Sequence, residues 1–264
     1  MKKIMKHIFL LCLVYFSFFY TDKVIEMINK KDPLMMKIIN LKSEYDIQPV
    51  NAIMKDDTII PGVKGREIDI TKSYDNMKIG GIFREDALIF NDLYPSSSLY
   101  KNKKKYIIKG STTKKEVSLI YIFNSNNIDK IIELENITLF INHSDLNIKN
   151  IKKLKEKEIY TYGNKGIYSN EILINDNSLI NNLSNNKSKY CLLKEKDNNT
   201  LNLCNENNMY TIIPNIIGGY YEVQKNLSNG SIILLNNIND IDNITRYIYS
   251  KGYNIVGLNV LISE

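Results

Sequence analysis

From Val117 to Glu264, short apolar runs alternate with amphipathic stretches at a spacing that leaves the chain few folds to choose from. Val117-Ser118-Leu119-Ile120-Tyr121-Ile122-Phe123-Asn124 is β-branched, apolar and aromatic. It lies between a Gly-Ser-Thr-Thr-Lys-Lys turn region and a polar Ser-Asn-Asn segment. Such a run predicts a buried strand with a loop at its carboxyl end. Further strands are predicted at Ile137–Ile141, Glu158–Tyr162, Lys189–Leu193, Tyr210–Ile213 and Gly230–Asn236, with a last one at Asn254–Leu258. Helical patterns separate them at Ile128–Leu134, Ile148–Lys157, Leu173–Leu183, Leu201–Asn207, Tyr221–Leu227 and Ile241–Lys251. Strands alternating with helices imply a parallel sheet or barrel.

In parallel α/β folds, chemistry sits at the carboxyl ends of the strands. The strand at Val117 offers only Phe123 and Asn124 there, with no carboxylate, histidine or cysteine. It is a strand in an active-site position without active-site residues.

Upstream the organisation changes twice. Lys2, Lys3 and Lys6 precede an unbroken apolar run from Ile8 to Tyr20. Positive charge before an apolar core marks a secretory signal or signal anchor. Bulky residues follow Ser17, and no small-residue cleavage site is in sight, which favours an uncleaved anchor over residues 1–22. The lysines then place the N terminus in the cytoplasm and the remainder outside it, in a single pass. Secretion after signal cleavage is the alternative. Residues 23–46 have helix-like apolar spacing around Pro33 and predict a helical stalk. Residues 47–113 mix short strands, turns at Asp56-Asp57 and Pro61-Gly62, and a short helix at Ser73–Lys78. They predict a small α+β module ahead of a larger domain over 114–264.

The order of elements after Lys115 resembles the polysaccharide deacetylase family, whose NodB homology domain is a distorted (β/α) barrel. Four framework pieces carry the likeness. Val117-Ser118-Leu119 is similar to the strand that opens the domain, and Ile137-Thr138-Leu139-Phe140 to its ATFF strand. Gly230-Ser231-Ile232-Ile233-Leu234-Leu235 is similar to its GSIILLH strand. Ile248 to Leu261, with Lys251-Gly252-Tyr253, resembles its closing helix and strand. The segment from Gln48 to Gly110 resembles the module that precedes this domain in membrane-anchored members.

The resemblance implies a divalent metal such as zinc, a catalytic base and an N-deacetylase reaction, but the motifs that would supply them are degenerate. The family's TFDD signature falls on Ile120, Tyr121, Ile122 and Phe123. Its two metal-binding histidines fall on Tyr162 and Gly166, and its last catalytic histidine on Asn236. Its RPPYG loop falls near Cys191–Glu195. A zinc site needs imidazole and carboxylate ligands, and these positions provide none. The sequence therefore predicts no cofactor. It points to a catalytically inactive protein that binds cell-envelope glycan or an envelope protein. The alternative is an active carbohydrate (peptidoglycan-type) N-deacetylase with an atypical site.

The remaining candidates are few. His143, near Asn142 and Asp145, is a weak metal or catalytic signal against a polar loop pair. His7 lies beside the predicted anchor. Cys191 and Cys204 fall in the predicted extracytoplasmic part, where disulfides persist, so a bridge and two buried thiols are both open. Tyr160, Tyr162, Tyr168, Tyr220 and Tyr221 are either sugar-stacking groups or rim packing. The formal charge is +6, with one cluster at Lys101, Lys103, Lys104 and Lys105. No zinc spacing, recognition helix or aromatic–basic motif accompanies that cluster, so nucleic acid is not predicted as a partner.

Overall fold

The computed structural model describes residues 11–18, 20–21, 32–185 and 187–264. In chain order its elements are α1 (Pro33–Tyr45), β1 (Ile53–Lys55), β2 (Thr58–Ile60), β3 (Gly65–Ile68), α2 (Ile70–Met77), β4 (Phe90–Leu93), β5 (Tyr106–Ile107), β6 (Glu116–Phe123), α3 (Ile128–Glu133), β7 (Ile137–Ile141), α4 (Ile148–Lys153), β8 (Glu158–Thr161), α5 (Asn170–Leu183), β9 (Tyr190–Leu192), α6 (Asn198–Glu206), β10 (Tyr210–Ile212), β11 (Ile216–Gly218), α7 (Tyr220–Asn226), β12 (Ile232–Leu235), α8 (Ile241–Ser250), β13 (Asn254–Ile255) and α9 (Leu258–Leu261). Most boundaries match the apolar periodicity within a few residues. β11 is an addition that the sequence did not show; three residues give too short a pattern to read.

Two compact units divide the chain. One comprises Met1–Pro49 with Lys64–Leu93, the other Val50–Val63 with Tyr94–Glu264. The division therefore runs elsewhere than a module over 47–113 and a domain over 114–264. β2 and β5, from the expected module, hydrogen-bond in parallel, and β5 continues in parallel onto β10. The strands of the segment complete a sheet of the second unit instead of forming a module of their own.

In the first unit, α1 is not a free stalk. Leu34, Met35 and Ile38 are buried against Ile68, Tyr74, Met77 and Ala87. Asp32 caps the helix by accepting from Leu34 N–H (2.7 Å), with Pro33 opening the first turn. The same carboxylate accepts from Tyr74 Oη–H (3.1 Å), which ties α1 to α2. β3 and β4 pair antiparallel beside them.

The second unit holds the parallel strands in two sheets. One has the order β11-β12-β6-β7-β8, with β13 beside the start of β6. The other has the order β1-β2-β5-β10-β9. The strands of the expected (β/α) barrel thus appear as two hydrogen-bonded sheets, and the architecture is mixed α/β. β6 shows why its sequence has no polar face. Val117, Leu119, Tyr121 and Phe123 join a core with Ile131, Ile151, Ile180, Val223 and Ile244 from the covering helices. Ile120 joins a second core with Phe140, Tyr160 and Leu234, which meets Ile59, Ile107, Leu192 and Ile212 of the other sheet. A strand buried on both faces reads as a continuous apolar run. Each large side chain buried in this way contributes about 1.5–3 kcal/mol.

Residues 11–18 are helical and exposed. Among the described residues, no helix is long and apolar enough to cross a membrane. Most of the predicted anchor over 1–22 and its lysines, together with His7, lies outside the described residues.

Candidate functional site

The parallel register of β12, β6, β7 and β8 brings their carboxyl ends to one edge of the larger sheet. A cleft of about 320 Å³ opens there. Its apolar wall is Tyr121, Ile122, Leu234 and Leu235. Its polar wall is Asn124, Asn142, Asp145, Lys194 and Asn236. A cavity of this size, lined by both hydrocarbon and polar groups, has room for a small ligand.

The predicted positions fall around this cleft unequally. Ile122, Phe123 and Asn236 line it. Ile122 is half-buried and packs toward the inter-sheet core. The Phe123 ring is 1% exposed and belongs to the helix-side core. Asn236 is exposed. Tyr162 and Gly166 are absent from the cleft's lining and pack on each other after β8. Gly166 N–H donates to the Tyr162 carbonyl (2.9 Å), and a Cβ at Gly166 would lie 3.1 Å from Tyr162 Oη. Gly166 has φ +89°, a conformation that disfavours a histidine there. Of the segment Cys191–Glu195, Lys194 reaches the cleft.

The donor set at the matched positions is therefore two hydrocarbons, a phenol, a glycine and an amide. It does not fit a zinc ion, which takes imidazole, thiolate or carboxylate ligands. Among the described residues, no group of three or more His, Cys, Asp or Glu side chains stands close enough to hold a metal ion.

A polar network that the sequence reading missed stands beside the cleft. His143 opens a one-turn helix (His143–Asp145) directly after β7. Its Nδ1–H donates to Asp176 Oδ1 (2.7 Å), and Thr161 Oγ1–H donates to Asp176 Oδ2 (2.5 Å). Thr161 Oγ1 accepts from Gly163 N–H (2.9 Å), and His143 N–H donates to the Gly163 carbonyl (2.7 Å). Asp176 is buried on α5, so its charge is held by this pairing. The carboxylate orients the partly exposed imidazole through Nδ1. One signal was available in the sequence. Leu173, Asp176 and Ile180 form one buried stripe of α5, and a carboxylate on such a stripe calls for a partner.

The aromatic candidates divide. Tyr160, Tyr162 and Tyr168 are buried, and Tyr160 packs between Phe140 and Tyr190 at centroid distances of 5.5 and 5.0 Å. Burial raises the phenols of Tyr160, Tyr168 and Tyr190 well above the ordinary range, so all three remain neutral. Tyr220 and Tyr221 are exposed and lie outside the cleft's lining. Cys191 on β9 and Cys204 on α6 are joined by a disulfide, with their Cα atoms 6.5 Å apart.

No family model matches the chain. A stretch of 91 residues is 36% identical to the uncharacterized protein YlxY of Bacillus subtilis (strain 168), covering 34% of this chain and 28% of that one. The match thus spans little more than a quarter of that curated relative's length. Solved structures extend the comparison over nearly the whole chain. A wild-type CE4 family pseudoenzyme from Bacillus anthracis superposes with a TM-score of 0.65 at 21% identity, covering 89% of this chain and 96% of that one. A mutant of the same pseudoenzyme with restored enzymatic activity gives a TM-score of 0.65 at 20% identity, covering 88% and 98%. A family 4 carbohydrate esterase from Bacillus anthracis gives a TM-score of 0.50 at 18% identity, covering 62% and 89%. The fold of this chain is therefore that of the CE4 family structures, the pseudoenzyme and the carbohydrate esterase alike.

Proposed function

We propose that the chain is a catalytically inactive, polysaccharide deacetylase-like protein of the cell envelope that binds envelope glycan in the cleft at the ends of β6, β7 and β12. The observation that carries this is the cleft's composition. It lies where the fold would carry its chemistry, yet it is walled by amides, one carboxylate, one ammonium and hydrocarbon. Amide and carboxylate groups beside hydrocarbon side chains suit the hydroxyl and acetamido groups of a saccharide. The lysines before the apolar N-terminal run support a membrane anchor that keeps the cleft outside the cytoplasm. The Cys191–Cys204 disulfide supports an oxidising compartment.

The test is calorimetric titration of the full chain with an acetylated chito-oligosaccharide, with and without zinc, alongside an assay for released acetate. Binding without acetate release is the expected result. Zinc-dependent acetate release would overturn it. It would favour the second reading, an N-deacetylase with an atypical site, for which the His143–Asp176 pair is the one supporting feature.

A further inference from the structure

The cleft's two charges differ in what they leave unfinished. Asp145 is half-buried, and its carboxylate has no hydrogen-bond or ion-pair partner among the described residues. Its main chain, by contrast, is fixed. Asp145 N–H donates to the Asn142 carbonyl (2.9 Å), and its own carbonyl accepts from the side-chain amides of Asn147 (3.2 Å) and Asn150 (2.8 Å). Lys194 lines the same cleft but is exposed, and no ion pair joins it to Asp145. An unpaired carboxylate on the cleft wall gains a charge-assisted hydrogen bond from a cationic donor, whereas an exposed ammonium keeps its hydration. The larger gain on ligand binding is therefore at Asp145, and the group that supplies it is a cation.

In a saccharide site that cation is the ammonium of an amino sugar. An acetamido group offers one neutral N–H, whereas a free 2-ammonium offers three donors and a charge, and charge-assisted hydrogen bonds are about twice as strong. A metal ion in the cleft would repel an ammonium. With no imidazole or carboxylate at the matched positions, only Lys194 opposes one. We propose that the cleft recognises glucosamine-type units whose amino group is free, so that the protein reads deacetylated glycan. The proposal rests on the glycan-binding function above and narrows it to one ligand class.

The experiment is calorimetric titration of the full chain in detergent, at mildly acidic pH, with glucosamine tetraose and with its fully N-acetylated counterpart. The free-amine oligosaccharide is expected to bind at least about fivefold tighter, with a preference that shrinks in high salt. Asp145→Asn should abolish that preference by weakening the amine ligand alone. Lys194→Ala should strengthen it, and this second variant keeps the test decisive if the first folds poorly. Equal or tighter binding of the acetylated oligosaccharide, or a preference that survives Asp145→Asn, would overturn the proposal while leaving glycan binding intact. If neither oligosaccharide binds, the glycan-binding function fails and the proposal with it.

Discussion

At the scale of single residues, Phe123 is a packing group; its ring fills the core between β6 and the helices. Phe123→Asp would leave a cavity and bury a charge, at a cost of at least about 4 kcal/mol. Ile122→Asp, on the cleft wall, should cost less than half of that. Chemical denaturation of the two variants compares them directly. Glu158 is a half-buried carboxyl with a distinct role. It accepts from Tyr160 Oη–H (2.6 Å), Asn259 N–H (2.7 Å) and Thr138 Oγ1–H (3.1 Å), fastening α9 to the sheet. Burial is the largest influence on it and raises its pKa above the usual 4.5, while these hydrogen bonds pull the other way. A carboxyl whose pKa is higher folded than unfolded adds stability that is complete below the unfolded value and lost as pH rises through the folded one. The stability of the wild type relative to Glu158→Gln should therefore fall as pH rises above the ordinary carboxylate value of 4.5. A difference that is flat or rising in denaturation curves above that value would contradict this origin. Glu158 reads in the sequence only as the polar start of a strand. Its burial depends on Asn259 and Leu258, about a hundred residues away, which no local pattern shows.

At the scale of elements, alternation carried most of the information. β6, β7 and β12 were legible because strands buried on both faces stay apolar along their length. The sheet order was not legible. β2 and β5 read as parts of a separate module, since nothing local tells a strand which distant strand it will pair with. α1 read as a stalk because Leu34, Met35 and Ile38 have helical spacing but no visible partner. The one covalent staple between elements joins β9 to α6 across a separation of 13 residues. A loop of that size restricts the unfolded chain by about 3 kcal/mol. Cys191→Ala combined with Cys204→Ala should lower stability by roughly that amount. Reductant should destabilise the wild type and leave the double variant unchanged.

For the whole molecule, the parallel strands converge on one edge and open a cleft there, and the positions matched by sequence resemblance hold no imidazole or carboxylate. The residue types at the positions matched by resemblance were legible in the sequence because each is visible at a single position. The cleft was not, because Asn124, Asn142, Asp145 and Lys194 come together only through strand register and the loops that follow the strands. The most direct measurement is the zinc content of the purified full chain after equilibration with zinc and removal of the excess. Far less than one zinc per chain is expected. One zinc per chain, retained by the wild type and lost on Asn236→Ala, would contradict it.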